Sequence, residues 1–176
     1  MDIKRLWHSF RLYTTFNSRK RGDYLRSTGM FRHIGQNVRI PTMLLPLFPE
    51  LIAIHDNVEM ASGVKLVTHD AIHGVMNCKH SGEEGVTFHE SVGCIEIGSN
   101  CFIGAGTVIL GNVKIGDNVV IGAGSLVNKD IPSNSVCGGI PAKRLGSFDD
   151  LEAKRKALPG YTTADAWWDA FYDARK

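Results

Sequence analysis

Branched aliphatic residues return at every sixth position through "IGSNCFIGAGTVILGNVKIGDNVVIGAGSLVNKDIP", residues 97–132: Ile97, Ile103, Ile109, Ile115, Ile121 and Val127. A buried helix face repeats near 3.6 residues and a half-buried strand repeats at 2, so a period of six belongs to neither alone. It fits one short strand and one corner per hexad. Three hexads then close a triangular coil of 18 residues, and successive coils stack as parallel strands about 4.8 Å apart. The aliphatic fills the interior at each level. The residue four places on is small or branched (Cys101, Thr107, Val113, Val119, Ser125, Ile131), as a narrow prism needs. Gly98, Gly104, Gly116 and Gly122 follow the aliphatics, where a corner is expected to use glycine's freedom of dihedral angle.

The same step starts earlier, at Ile34 and Ile40, is disturbed by Pro41, Pro46 and Pro49, and resumes at Ile54, Met60 and Leu66. About four coils result, roughly 19 Å tall at that spacing. Leu66 and Ile97 are out of phase, so residues 70–94 read as a long inserted loop, a feature that is usually functional. The chain divides into an N-terminal helical extension (1–33), the repeat domain with its protruding loop (34–146) and a C-terminal helical extension (147–176). Residues 3–16 put Ile3, Leu6, Trp7, Phe10 and Tyr13 on one helical stripe. The stretch "FNSRKRGDYLRSTG" breaks that pattern with Gly22 and Gly29. In the tail, Ser147 and Asp150 form a capping box for one short helix, Pro159 and Gly160 stop it, and Thr162 or Thr163 opens another.

Composition narrows the class. Twenty Lys or Arg against 18 Asp or Glu leave a formal charge of +2, too small to suggest a nucleic-acid partner. Yet residues 1–32 hold eight basic residues against Asp2 and Asp23. No apolar run approaches a membrane span, and the N-terminus lacks the pattern of a secretory signal. Cys78, Cys94, Cys101 and Cys137 show neither metal-binding spacing nor disulfide density, so a reducing cytoplasm is expected.

The hexads of residues 34–146 resemble the left-handed parallel β-helix of the hexapeptide-repeat acyltransferases. The closing stretch "IGDNVVIGAGSLVNKDIPSNSVCGGIPAK" is similar to the sugar O-acetyltransferase and xenobiotic acetyltransferase branch. The resemblance implies an all-β core, the left hand of the coil, a homotrimer, and acetyl-coenzyme A lying between adjacent prisms, with no metal. It also implies that the histidine of "VTHDAIH", His69, is the catalytic base. Imidazole independently suits the task, because its ordinary pKa lies near 6.5 and acyl transfer to a hydroxyl must take a proton and return it near neutral pH.

Asp70 and His73 are the candidate acceptor contacts, and His89 at the end of the loop is a reserve base. Ala105 and Ala123 lie 18 residues apart and should stack, with Gly104/Gly122 and Gly106/Gly124, into a strip of bare backbone; the resemblance gives the two alanines to the pantetheine arm. Asn128 and Lys129 match the family's threonine-lysine pair with the threonine replaced. Lys129, Lys143 and Arg144 together suit the phosphates of coenzyme A. The family's reacting-centre asparagine aligns near Pro41, which has no donor to offer.

The expected function is thus acetyl transfer from acetyl-coenzyme A to a hydroxyl of a sugar or polysaccharide precursor. Xenobiotic, antibiotic or serine acetylation would use the same scaffold. A zinc hydratase of the carbonic-anhydrase type and a non-catalytic β-helix are the alternatives of other classes. The basic N-terminal helix suits capping of the column, adhesion to an anionic membrane surface, or recruitment of an anionic saccharide.

Overall fold

The computed structural model describes residues 3–158 and 160–175. Helices α1 (Ile3–Thr14) and α2 (Ser18–Thr28) precede strands β1 (His33–Ile34), β2 (Ile52–Ile54), β3 (Val58–Met60) and β4 (Lys65–Val67). Helix α3 (Ile72–Lys79) interrupts the strands, which continue as β5 (Ile95–Ile97), β6 (Cys101–Ile103), β7 (Val108–Leu110), β8 (Val113–Ile115), β9 (Val119–Ile121) and β10 (Leu126–Val127). The chain ends through β11 (Ser135–Gly138), β12 (Lys143–Gly146), α4 (Phe148–Lys156) and α5 (Ala164–Asp173).

These strands form the three sides of a column, ordered β1-β2-β5-β8, β3-β6-β9-β11-β12 and β4-β7-β10. Every pairing among β1 to β11 is parallel. The expected repeat of 18 holds: Ile95 pairs with Val113, Cys101 with Val119 and Val108 with Leu126. Between β3 and β6 the offset is 43, Val58 against Cys101, which exceeds 18 by the 25 residues of segment 70–94. The insertion therefore leaves the winding in register. At the exit the parallel pattern ends, because β12 turns back antiparallel on β11.

Burial follows the hexads. Ile97, Ile103, Ile109, Ile115, Ile121 and Val127 have no exposed surface, and the smaller set from Cys101 to Ile131 is buried beside them. Removing this apolar surface from water is the main stabilising term of the column.

The corners differ from expectation. Gly98, Gly104, Gly116 and Gly122 do not use positive φ; the left-handed positions are two residues further on, at Asn100, Gly106, Asn118 and Gly124, and likewise at Asn57 and Asn112. Asparagine tolerates that conformation, and here its side chain is also used. Asn37 donates to Asn57 at 2.9 Å, Asn57 to Asn100 at 3.1 Å and Asn100 to Asn118 at 3.0 Å, a ladder running up one edge. Gly98 and Gly104 are glycines for another reason: a Cβ on Gly98 would lie 2.7 Å from the Gly116 carbonyl carbon, and one on Gly104 2.7 Å from the Gly122 carbonyl carbon and against the Ala123 nitrogen.

One expectation about the termini is also corrected. Residues 18–28, read as a break, form α2, with Asn17 accepting from the Arg19 and Lys20 amides and Gly29 closing it in the left-handed region. Gly22 is tolerated inside this helix because Val38 packs directly on its backbone, leaving no room for a side chain. Helix α1 docks by the face opposite its apolar stripe. Leu12 is buried, Arg5 Nη2 donates to Leu45 O at 2.9 Å, and buried Arg21 ties the carbonyls of Leu12, Thr15 and Pro41 together. Ile3, Leu6, Trp7, Phe10 and Tyr13 face outward. At the other end Ser147 caps α4 through the Asp150 amide, and Thr163 caps α5. Pro159, expected to stop α4, lies outside the described residues.

Candidate active site

Strand β4 ends against the insertion. Thr68, fully buried, donates its hydroxyl to Leu47 O at 2.8 Å, and its carbonyl accepts from the Gly93 amide at 2.7 Å. The next residue, His69, forms an antiparallel bridge with Val92, and the Asp70 amide donates to Ser91 O at 3.1 Å. The histidine is thus clamped between the column and the returning end of the loop. Phe48 meets the imidazole edge-on, ring centres 5.5 Å apart. Phe48 itself sits at φ 52°, an unfavourable conformation for a bulky residue, and such strain gathers at functional sites.

The His69 Nδ1 is sealed from solvent and has no hydrogen-bond partner. Buried polar atoms are nearly always satisfied, so an orphan of this kind marks a place where a ligand, a water or a second subunit completes the site. Nε2 is not sealed in this way, and His69 lines a cleft. The cleft encloses about 240 Å³ and is lined by Thr68, His69, Ser91, Gly93, Gly111 and Asn112 among others. Its floor is tight: a Cβ on Gly93 would lie 2.6 Å from the Asn112 nitrogen.

The other candidates fall in three places. Asp70 Oδ1 accepts from the Ile72 amide at 3.0 Å, so this carboxylate begins α3 while its residue borders the cleft. Part of the predicted loop is therefore helix. His73 lies on that helix, and its Nδ1 is sealed and unpartnered like that of His69. His89 is exposed. His80 is held by Glu83 at 3.0 Å and by the Phe88 ring, which fixes the loop rather than the cleft.

Ala105 and Ala123 do stack, as the 2.7 Å bond from the Gly124 amide to Ala105 O requires. A Cβ added at Gly106 or Gly124 would meet nothing within 4 Å, so this edge is open along its length. Asn128, Lys129, Lys143 and Arg144 are exposed at the last coil, and the Ala142 amide bonds Leu126 O at 2.8 Å, which holds the Lys143 strand against β10. Arg144 Nη2 reaches Asn134 O at 3.4 Å.

A larger apolar cavity, about 540 Å³, opens where residues 41–46 fail to complete the first coil. Among the described residues its only titratable lining residue is Lys65, which offers no proton-transfer pair, so the chemistry is not assigned there. Among the described residues no three His, Cys, Asp or Glu side chains gather closely enough to hold a metal ion within one chain. Phe48 and Leu47, which support His69, carried no signal in the sequence; they reach it only because the irregular segment 41–51 folds back.

The repeat model described as bacterial transferase hexapeptide (six repeats) matches residues 94–129. Protein CapG of Staphylococcus aureus is 41% identical over 143 residues, covering 80% of this chain and 78% of that protein. The chain belongs to the hexapeptide-repeat acetyltransferases. A maltose O-acetyltransferase structure from Clostridium difficile is 28% identical with a TM-score of 0.57, covering 82% of this chain and 84% of that one. A hexapeptide-repeat acetyltransferase from Vibrio cholerae, crystallised with acetyl-coenzyme A, shares the fold at 21% identity and a TM-score of 0.54, covering 82% and 85%. The fold is accordingly the left-handed parallel β-helix, and the activity class is acyl transfer. No helix among the described residues is long and apolar enough to cross a membrane.

Proposed function

We propose that this chain moves an acetyl group from acetyl-coenzyme A to a hydroxyl of a saccharide, with His69 as general base. The observation that carries the reading is the clamped imidazole in the lining of the cleft, with Nδ1 sealed and unpartnered. Once a group from outside this chain accepts from Nδ1–H and so keeps the proton there, His69 presents a lone pair at Nε2. Nε2 removes the acceptor hydroxyl proton as the oxygen attacks the thioester carbonyl. The carbon–sulfur bond then breaks, and the same nitrogen returns the proton to the departing sulfur. The products are a saccharide ester and the free thiol of coenzyme A.

The donor fits the open edge at Ala105 and Ala123, where a thin arm approaches backbone without obstruction. Lys129, Lys143 and Arg144 at the end of that edge suit its phosphates. We assign Asp70 and His73 to the acceptor side of the cleft. The unfinished surroundings of His69 fit a homotrimer in which a neighbouring column completes the site. The saccharide assignment draws on the maltose acetyltransferase and CapG likenesses. We place the reaction in the cytoplasm, in keeping with four unpaired thiols.

The test follows coenzyme A thiol release with a panel of mono- and oligosaccharides. His69→Ala should lower kcat by about 10²–10⁴-fold while acetyl-coenzyme A binding, measured by calorimetry, is retained. Unchanged turnover in that variant removes His69 from the mechanism. A wild-type protein that binds acetyl-coenzyme A but acetylates no saccharide overturns the acceptor class alone.

A further inference from the structure

Two helices of this chain present apolar faces that the described residues of their own chain leave largely exposed. On α1 the stripe Ile3, Leu6, Trp7, Phe10 and Tyr13 looks outward, with Phe10 65% and Tyr13 66% exposed. On α5 none of the residues is buried, and Trp167 and Trp168 are 55% and 56% exposed. The α5 face is preformed. Tyr161 packs on Trp167 with ring centres 4.8 Å apart, and Trp168 packs on Phe171 at 5.4 Å and Tyr172 at 6.0 Å. Contiguous exposed apolar surface of this kind marks an interaction site.

Charge decides the occupant. Helix α1 carries Lys4, Arg5 and Arg11 and no acidic residue, whereas α5 carries Asp165, Asp169 and Asp173 and no basic residue. At 100° per residue, Arg11 falls on one rotational flank of the α1 stripe, and Asp165 and Asp169 fall on the same rotational flank of the α5 stripe. Like flanks meet when two helices pack face to face in opposite directions, and unlike flanks meet when they run the same way. We propose that α5 of one copy packs antiparallel on α1 of a second copy of this chain, joining the aromatic faces and setting the acidic flank against the basic one.

The two ends of the chain make this a head-to-tail contact. Helix α1 is fixed to the first coil through Arg5 and Leu45, and α4 is fixed to the last through Asn134 and Asp149, 2.8 Å apart. Each copy therefore offers one donor helix and one acceptor helix, and a ring closes when the rotation between copies allows it. The inference is independent of the acyl-transfer chemistry.

The test is a cross-link in the full chain. Two variants are co-expressed with Cys78 and Cys94 replaced by serine, one carrying Leu6→Cys and the other Phe171→Cys. Antiparallel packing predicts a disulfide between the two different chains under mild oxidation. The pair Leu6→Cys and Trp167→Cys, which parallel packing would favour, should link at least tenfold less. Separately, Phe10→Ala and Trp168→Ala should each raise the dissociation constant of the oligomer by about 30-fold in sedimentation. Preference for the Trp167 pair, or no product at all, overturns the proposal. So does an unchanged oligomer in which Phe10→Ala loses only binding to vesicles of anionic phospholipid, the result that would assign α1 to a membrane surface.

Discussion

Asn100 donates from Nδ2 to the Oδ1 of Asn118 at 3.0 Å, and both residues hold positive φ, 58° and 55°, at equivalent corners of successive coils. Each asparagine thus relieves the strain of a left-handed corner and joins that corner to the next. Asn100→Ala loses both contributions. The left-handed conformation costs a residue with an ordinary Cβ about 1–2 kcal/mol, and the lost side-chain bonds add about 1 kcal/mol. Asn100→Gly should lose only the second. Urea unfolding followed by circular dichroism, with the two midpoints compared, reads the difference.

Gly104 makes the complementary case. A Cβ there would stand 2.7 Å from the Gly122 carbonyl carbon, which is backbone and cannot swing aside. Gly106, two residues on, has open space but φ of 70°. Gly104→Ala should therefore cost about 2–3 kcal/mol through overpacking between coils, and Gly106→Ala about 1–2 kcal/mol through dihedral strain alone. Equal losses would contradict this division of roles between the two glycines.

These corners show what could be read from the residue order. The six-residue return of Ile and Val is local and regular, so the column, its register and its small-residue positions were all legible. The reason for the glycines was not, because close approach between coils depends on atoms 18 residues away in sequence. Helix α2 was hidden for a related reason: Gly22 looks like a breaker until Val38 is seen lying on it. The stripe of α1 was visible but its direction was not. Periodicity identifies an apolar face, and only the partner surface tells whether that face turns inward. His69 was singled out by a short motif, whereas its supports, Phe48 and Leu47, arrive through an irregular segment with no period to read.

Thiol reactivity should split the cysteines two and two. Burial pushes the Cys101 thiol up to about 11, and burial also raises that of Cys137. Cys78 and Cys94 are exposed. The thiolate is the reactive form, so at pH 8 an aromatic disulfide reagent should modify two thiols rapidly and the remaining two only as the protein unfolds. Rapid modification of three or four in the folded protein would show that the column opens at β6 or β11.

Acid stability has one identifiable contributor on the outer face. A hydrogen bond from Lys114 at 3.3 Å, with a weaker one from His55, lowers the pKa of Glu96. A carboxyl depressed in the folded state stabilises above its unfolded pKa, and that stabilisation is lost as pH falls through the folded value. Glu96→Gln should thus destabilise at neutral pH and converge with wild type in acid below the ordinary carboxylate range. The pair is solvent-exposed, so the gap should be small and should narrow in high salt.

The cations at the last coil give the sharpest test of donor orientation. If Lys129, Lys143 and Arg144 hold phosphates, they bind ground state and transition state alike, because those charges lie far from the reacting carbon. Truncating Lys129 or Lys143 to alanine should then raise KM for acetyl-coenzyme A by about 5–10-fold with kcat unchanged. Arg144 already spends one nitrogen on Asn134 O, so Arg144→Ala should cost less. All three effects should shrink as ionic strength rises. A donor lacking the 3′-phosphate separates the roles, since the lysine that contacts that group loses its effect when the phosphate is gone. Were kcat to fall with KM unmoved, the thioester would lie at this end of the open edge, and the direction assigned to the donor along Ala123 and Ala105 would have to be reversed.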